Sequence, residues 1–234
     1  MKLEVYGSSE EVLRAVSGRL LEEMKLHRIP FHLALSGAGT ARKLYQIWAS
    51  EFRNQIHWEQ LRFYWVDERC VKPQDEESNY KYAYDLLFRP LNIPAEYIHR
   101  IRGEEKPEIE AEHYSEMVRR ELPECSCLPQ FDCVILGIGE DGHTASIFSQ
   151  NVDLLIDKRC YAVSQHPVTG QKRITMTGPL ILNSKLILIP VLGTEKAMIL
   201  HEIFYSSEAA LPAAYILSRA SEAFVFTDSQ ISVK

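Results

Sequence analysis

The chain has 234 residues, 46% of them hydrophobic and 25% charged, which is the composition of a globular protein and argues against intrinsic disorder. A formal net charge of -6 argues against a nucleic-acid partner, because binding one requires a basic face that replaces phosphate counterions. The sequence has neither a run of about 18 apolar residues that could span a membrane nor an apolar secretory segment near its start, so we expect a cytoplasmic protein with no membrane partner.

Apolar periodicity predicts helices and strands that alternate along the chain. In order, these are a helix over 9–25, a strand at 31–35, a helix over 41–50, a strand at 61–66, helices over about 80–88 and 107–121, strands at 131–136 and 185–192, a helix over 193–200 and a strand at 223–227. Such alternation implies parallel pairing and right-handed crossovers. We predict an α/β fold with one domain over residues 1–234, in which a Rossmann-like, mostly parallel sheet carries helices on both faces.

The cysteines indicate reduced thiols rather than a disulfide framework. They are odd in number and contain no C-x-x-C pair: Cys70, Cys125, Cys127, Cys133 and Cys160. Cys125 and Cys127, together with His113, could be read as metal ligands, but the usual two-residue spacer is missing. We therefore expect no metal site.

Ligands of open α/β sheets bind at the carboxyl ends of the strands, and the first such end is SGAGT, residues 36–40. Small residues between a strand and a helix present free backbone N–H groups and the positive end of the helix dipole, which together bind anions. Ser36 and Thr40 would add hydroxyl donors, and Gly37 and Gly39 would let an anion approach the backbone. An ordinary tight turn is the alternative interpretation, since no P-loop lysine follows.

Charged residues follow the next strand and two later elements. Asp67, Glu68 and Arg69 come directly after the 61–66 strand, so at least one of them should face the cleft, and the forked guanidinium of Arg69 suits phosphate or carboxylate. Arg173 and Lys196 also lie beside predicted strand or helix ends. Lys196 in the first turn of a helix is unfavourable unless an anion lies there. A surface ion pair for Arg69 and a solvated Lys196 are the alternatives.

The stretch FDCVILGIGEDGHTASIF, residues 131–148, allows two interpretations. Its glycines match the G-x-G-x-x-G dinucleotide fingerprint, and Asp157 lies about the expected distance further on. Against a nucleotide site, Asp141 would put a negative charge beside the pyrophosphate, and His143 interrupts the helix that should open there. The second interpretation makes His143 a general base near neutral pH, supported by Glu140 or Asp141. A purely structural histidine is the remaining alternative.

Taken together, the segments LSGAGTARKLY, WVDERCVKPQDEESNY, LGIGEDGHTASIF, RITMTGPLIL and GTEKA resemble the 6-phosphogluconolactonase family and its relatives, the glucosamine-6-phosphate deaminases. Thr144, Ala145 and Ser146 after the histidine, with Arg69 after the acids, favour the lactonases. The family typically has S-G-G-S-T-P where this chain has SGAGTA, so we expect altered phosphate binding here.

The resemblance implies hydrolysis of 6-phospho-D-glucono-1,5-lactone in the oxidative pentose phosphate pathway, without metal or cofactor. It implies catalytic roles for His143 and Asp141. The residues that it implies for substrate and phosphate binding are Ser36, Gly37, Gly39, Thr40, Asp67, Arg69, Gly139, Arg173 and Lys196. A glucosamine-6-phosphate deaminase or isomerase, and a sugar-phosphate-binding module without catalysis, are the alternatives.

Overall fold

The structure is a computed structural model that describes residues 1–26, 29–205 and 211–229. The strands of its central sheet are β1 (Lys2–Val5), β2 (Phe31–Leu35), β3 (Leu61–Trp65), β7 (Cys133–Ile135), β10 (Leu186–Val191) and β11 (Ala223–Thr227). A second sheet contains β4 (Asp67–Arg69), β8 (Tyr161–Gln165) and β9 (Lys172–Met176), and β5 (Glu124–Cys125) pairs with β6 (Leu128–Pro129) in a short ribbon.

The α-helices of the described residues are α1 (Ser9–Leu26), α2 (Ala38–Ser50), α3 (Asn79–Ala83), α4 (Arg89–Leu91), α5 (Pro107–Glu121), α6 (Gly178–Leu182), α7 (Glu195–Tyr205) and α8 (Pro212–Arg219). A π-helical turn, Tyr84–Phe88, joins α3 to α4. Short 3₁₀ helices lie at Trp58–Gln60, Ala95–Tyr97 and Ser149–Leu155. None of the helices in the described part of the chain is long and apolar enough to cross a bilayer.

The central sheet is parallel throughout, with strand order β1-β11-β10-β7-β2-β3. The chain moves toward one edge from β2 to β3 and toward the other edge from β7 to β10 and β11. Right-handed crossovers therefore place α1 and α2 on one face and α6 to α8 on the other. The packing agrees, since α1 contacts α2 while α6 and α7 contact α8. The predicted fold class is confirmed, and the direction of winding reverses between the neighbouring strands β2 and β7.

The hydrophobic core explains why these segments fold as they do. Every residue of β2, β10 and β11 is buried, as expected for strands covered by helices on both faces. The apolar face of α1, including Val12, Val16 and Leu20, packs into the same core cluster as the sheet. Trp48 of α2 is fully buried there and donates its indole N–H to Ser17 Oγ of α1 at 2.8 Å.

Three local predictions need correction. Helix α2 begins at Ala38 rather than at residue 41, so the turn after β2 is only Ser36–Gly37, and Gly39 and Thr40 belong to the first helical turn. The segment after β3 is not only a polar loop, because Asp67–Arg69 forms β4. Strands β8 and β9 were not predicted from the sequence; they pair with each other, and β9 pairs with β4, all in antiparallel fashion, to form the second sheet.

Candidate active site

A cleft of about 480 Å³ opens where the winding of the central sheet reverses. One wall is built from the segments that follow β2 and β7, and the other from the second sheet. The cleft lies at the carboxyl ends of the strands, where open α/β sheets bind ligands. Ten of the predicted site residues line it: Ser36, Gly37, Thr40, Asp67, Arg69, Gly139, Asp141, His143, Arg173 and Lys196. Gly39 is not among the lining residues and is exposed in the first turn of α2.

His143 and Asp141 form a pair on the loop after β7. The Asp141 Oδ1 atom accepts hydrogen bonds from His143 Nδ1 and, at 3.2 Å, from the His143 backbone N–H. Burial acts to raise the pKa of Asp141, but the positive charge of the imidazole and its hydrogen bonds outweigh burial and lower that pKa. Because Nδ1 carries the shared proton, the neutral ring leaves Nε2 free to accept one. The geometry thus pairs the histidine with Asp141.

The glycines of this loop fold it around the imidazole. A Cβ added to Gly139 would lie 2.2 Å from both Cε1 and Nδ1 of His143, so only glycine fits there. Gly139 N–H donates to the His143 carbonyl at 2.9 Å, and Gly142 has a positive φ of 76°, which favours glycine. Thr144 Oγ1 closes the loop by donating to the Gly137 carbonyl at 2.8 Å. The glycine spacing therefore serves a tight turn that presents His143.

The dinucleotide interpretation of this loop is not supported. A Rossmann fingerprint requires a helix that opens directly after the glycines. Here the loop instead folds back through bridges that join Ile138 to Thr144 and Thr144 to Ile147. Asp157, the candidate ribose ligand, forms an ion pair with Arg159 at 2.5 Å.

Two arginines on the opposite wall lie directly across from each other. Arg69 of β4 and Arg173 of β9 are cross-strand partners. Arg69 Nη1 donates to the Glu77 carbonyl at 2.6 Å, and Arg173 Nη1 donates to Ser146 Oγ at 3.2 Å. Within the described residues, both Nε atoms are buried without an acceptor, and neither guanidinium has a carboxylate within 4.0 Å.

Facing arginines repel each other unless an anion lies between them. Burial lowers the pKa of Arg173, and the charge of Arg69 lowers it further, against the opposing effect of Asp67. The arginine pair is thus short of negative charge, so it can bind an anionic ligand in a bidentate manner. The alternative of a surface ion pair for Arg69 does not fit this geometry.

Two further positively charged groups face the cleft. Gly37 is the N-cap of the 13-residue helix α2 and caps it with no side chain, so the helix dipole points at the cleft. Lys196 lies in the first turn of α7 and is partly buried. Burial lowers the pKa of Lys196, and the opposing effect of the Glu140 charge does not outweigh it. No salt bridge within 4.0 Å involves Lys196 in the ranges that the structure describes.

The acids beside Arg69 have different roles. Asp67 lines the cleft, and its Oδ2 atom accepts a hydrogen bond from Ser146 Oγ at 2.6 Å. Glu68 is almost fully buried and accepts the backbone N–H groups of Arg69, Asn79 and Tyr80, each at 2.8 Å. Glu68 therefore joins β4 to the start of α3 through these hydrogen bonds, and it is not a lining residue of the cleft.

Two polar lining residues, Asn79 and His166, were not predicted from the sequence. Asn79 packs against Gly37, and its Nδ2 donates to the Asp67 carbonyl at 2.9 Å. His166 directly follows the last residue of β8, in the segment that joins β8 to β9. Neither residue belongs to a pattern that sequence spacing could have revealed.

The metal alternative finds no geometric support. Among residues 1–26, 29–205 and 211–229, no three His, Cys, Asp or Glu side chains are placed so that they could hold a metal ion. Cys125 and Cys127 are exposed thiols of the β5–β6 ribbon. His113 Nδ1 lies 3.2 Å from Glu110 on its own helix.

Fold and cleft together define a doubly wound α/β protein with an anion-binding site that contains a histidine–aspartate pair. A family model described as glucosamine-6-phosphate isomerases/6-phosphogluconolactonase matches residues 7–225. The chain belongs to this family.

Relatives and solved structures agree with this assignment. The chain is 43% identical over 180 residues to the 6-phosphogluconolactonase of Treponema pallidum, which covers 77% of this chain and 75% of the relative. It is 42% identical over 184 residues to that of Haemophilus influenzae, which covers 78% and 77%. The crystal structure of the devB protein superposes with a TM-score of 0.92 at 36% identity, covering 98% and 97% of the two chains. The 6-phosphogluconolactonase of Trypanosoma cruzi superposes with a TM-score of 0.85 at 26% identity, covering 97% and 94%.

Proposed function

We propose that the protein is a 6-phosphogluconolactonase, which hydrolyses 6-phospho-D-glucono-1,5-lactone to 6-phosphogluconate in the cytoplasm, and that residues 1–234 act as one domain. The observation that carries this proposal is the cleft itself: a histidine–aspartate pair faces two arginines that lack anionic partners. Relatives at 41% to 43% identity carry the name of this activity. A lactone with a phosphate at the far end of the molecule matches a site with a base on one wall and two arginines on the other.

The proposed chemistry starts at His143. Its Nε2 atom takes a proton from water as the water oxygen bonds to the C1 carbonyl carbon of the lactone. Asp141 orients the ring and stabilises the imidazolium that forms. The C1–O5 bond then breaks, and the imidazolium returns its proton to the departing ring oxygen, which becomes the C5 hydroxyl of the product. One general base of this kind contributes about 10²- to 10⁴-fold in rate.

The cations would position the substrate rather than react with it. Arg69 and Arg173 present forked donors that suit phosphate, and Lys196 adds a further charge. Ser36, Gly37 and Thr40 lie where the helix dipole of α2 attracts anions or sugar oxygens. Positioning by these groups places the lactone carbonyl beside the base, and well-oriented reactants can lower the barrier by about 7–11 kcal/mol.

The test is hydrolysis of freshly generated 6-phosphogluconolactone, corrected for its spontaneous opening, in wild type and His143→Ala side by side. We expect fast turnover in wild type and a loss of about 10²- to 10⁴-fold in the variant. Asp141→Asn and Glu140→Gln form a matched pair that removes one carboxylate charge each. The kcat of Asp141→Asn should be at least about tenfold lower than that of Glu140→Gln, because only Asp141 bonds the imidazole.

Three outcomes would overturn this proposal. Ammonia release from glucosamine 6-phosphate without lactone hydrolysis would indicate a deaminase. Binding of sugar phosphates without any turnover would indicate a binding module. Equal activity of wild type and His143→Ala would refute the role of the histidine.

A further inference from the structure

A second histidine, His166, lies in the same cleft. It follows β8 and begins the turn that leads to β9. Its ring packs edge-on against Phe148, with ring centroids 5.1 Å apart and an interplanar angle of 71°. The Phe148 ring also packs on His143 at 4.7 Å and lies 5.6 Å from the guanidinium carbon of Arg173. Phe148 therefore holds two imidazoles and one arginine around the same part of the cleft.

The hydrogen bonds of His166 determine which of its nitrogens carries the proton. Nδ1 faces the backbone N–H groups of Val168 at 3.3 Å and Thr169 at 3.2 Å. A backbone N–H can only donate, so Nδ1 must be an acceptor and the proton of the neutral ring is on Nε2. Burial lowers the pKa of His166, and the charges of Arg173 and His143 lower it further, which favours this neutral form.

The two histidines are therefore prepared for opposite tasks. In His143, Nδ1 is engaged by Asp141 and Nε2 is left to accept a proton. In His166, Nδ1 accepts from the turn and Nε2–H is left to donate. No protein partner of His166 Nε2 occurs among the described residues.

We propose that His166 is a further catalytic residue, whose neutral Nε2–H donates a hydrogen bond to the C1 carbonyl oxygen of the lactone as negative charge develops there. This inference rests on the proposed lactonase activity. No proton is transferred, because the donor only stabilises the oxyanion until the C1–O5 bond breaks. The phosphate is the less suitable partner, since a neutral donor adds little beside Arg69, Arg173 and Lys196. The carbonyl is the group that must lie near His143, and His166 is placed with His143 around Phe148.

Three variants test this role in the lactone assay. His166→Phe keeps an aromatic ring against Phe148 but removes both nitrogens, and His166→Gln restores an N–H donor near the position of Nε2. Thr169→Ala is the control, because it removes an acceptor of the same turn, Thr169 Oγ1 to Gln171 N–H at 3.3 Å, and leaves the imidazole in place. We expect kcat to fall roughly 10²- to 10³-fold in His166→Phe, the usual loss for one oxyanion donor, with KM changed less than about threefold. His166→Gln should recover at least about tenfold of that loss, and Thr169→Ala should behave as wild type.

Binding of sorbitol 6-phosphate separates the carbonyl from the phosphate, because this ligand has the phosphate but no carbonyl oxygen at C1. We expect His166→Phe to bind it as wild type does, within about twofold, since an interaction made only in the transition state does not contribute to ground-state binding. A weakened affinity that matches the loss of activity would assign His166 to the phosphate and overturn the proposal. Equal losses in His166→Phe and Thr169→Ala would also overturn it. A wild type without turnover would instead refute the lactonase activity itself.

Discussion

Replacing Gly37 with alanine should destabilise the protein through a steric clash with one side chain, that of Asn79. A Cβ at this position would lie 1.8 Å from Oδ1, 2.1 Å from Cγ and 2.6 Å from Nδ2 of Asn79. Asn79 cannot easily move away, because it is 2% exposed. Its Nδ2 donates to the Asp67 carbonyl at 2.9 Å, and its backbone N–H donates to Glu68 at 2.8 Å.

The size of the effect follows from these contacts. Inserting a methyl group into a packed site costs about 1–3 kcal/mol, and displacing the Asn79 amide breaks one buried hydrogen bond worth about 0.5–1.5 kcal/mol. We expect Gly37→Ala to lower the free energy of unfolding by about 2–4 kcal/mol. Activity should fall as well, because the Asp67 carbonyl loses its partner at the edge of the cleft.

Chemical denaturation of wild type, Gly37→Ala, Asn79→Ala and the double variant tests the origin of the loss. Asn79→Ala alone should cost about 1–3 kcal/mol, because the Asp67 carbonyl is left unsatisfied. In the double variant the new methyl group occupies the space that the amide leaves, so the two losses should fall short of additivity by about 1–3 kcal/mol.

Gly39→Ala is the matched control in the same segment. It lies in the first turn of α2 with no atom within 4 Å of an added Cβ. We expect it to be neutral or to stabilise the protein by about 0.5–1 kcal/mol, the usual gain for alanine over glycine in a helix. Strictly additive losses of unfolding free energy for Gly37→Ala and Asn79→Ala would refute the steric clash as the cause. Equal stability of Gly37→Ala and Gly39→Ala would refute it as well.

Two further predictions concern charge. Arg173→Met should raise KM for the lactone about 10- to 100-fold, because it removes charge-assisted hydrogen bonds of about 1.5–3 kcal/mol. It should not lower the melting temperature, since it relieves the repulsion from Arg69. An unchanged KM in steady-state kinetics would contradict this prediction. Burial lowers the pKa of His32 in the folded protein below the value of about 6.5 that it has in the unfolded chain. Below pH 6.5 the unfolded chain therefore binds more protons than the folded protein. The free energy of unfolding should then fall as the pH decreases, by up to about 1.4 kcal/mol per pH unit for this proton. His32→Phe should flatten the pH dependence of denaturant unfolding below pH 6.5, whereas a parallel curve would rule this origin out.

Five of the six strands of the central sheet could be predicted because they are largely buried, whereas the partly exposed edge strand Lys2–Val5 was not predicted. Segments such as Phe31–Leu35 and Ala223–Thr227 are continuous apolar runs, and the structure places strands at these residues. Helix Pro107–Glu121 has the predicted bounds, because proline at its start and a periodic apolar face mark it clearly. The loop with His143 could also be identified, since an acid and a histidine between glycines at a strand end are unusual in a structural turn.

Two strands of the second sheet, β4 and β9, could not be predicted because they carry polar residues of the cleft. Asp67–Arg69 contains only charged residues, and Lys172–Met176 begins with two basic ones. Side chains that face a ligand site replace the apolar alternation by which a strand is recognised. His166 was missed because only the folded position of the turn after β8 places it in the lining of the cleft.

The site depends on a junction between the two sheets. At Val66 the chain leaves the central sheet, where its N–H donates to the Leu35 carbonyl at 2.9 Å, and joins the second sheet, where its carbonyl accepts from Met176 N–H at 2.8 Å. The base belongs to the wall formed by the central sheet, whereas the arginines belong to the wall formed by the second sheet. His143 and the two arginines therefore line one cleft only because both sheets contribute to it.

Ser146 fixes the distance between these walls. It lies on the His143 loop, yet its Oγ donates to Asp67 at 2.6 Å and accepts from Arg173 at 3.2 Å, while its backbone N–H donates to Thr175 Oγ1 at 3.0 Å. All three contacts are with the second sheet. The spacing between the base and the two arginines is therefore set by these hydrogen bonds of Ser146 rather than by flexible loops. A site with such a fixed spacing selects substrates in which the anion and the reacting carbon are a matching distance apart, because a ligand of another length could engage only one wall.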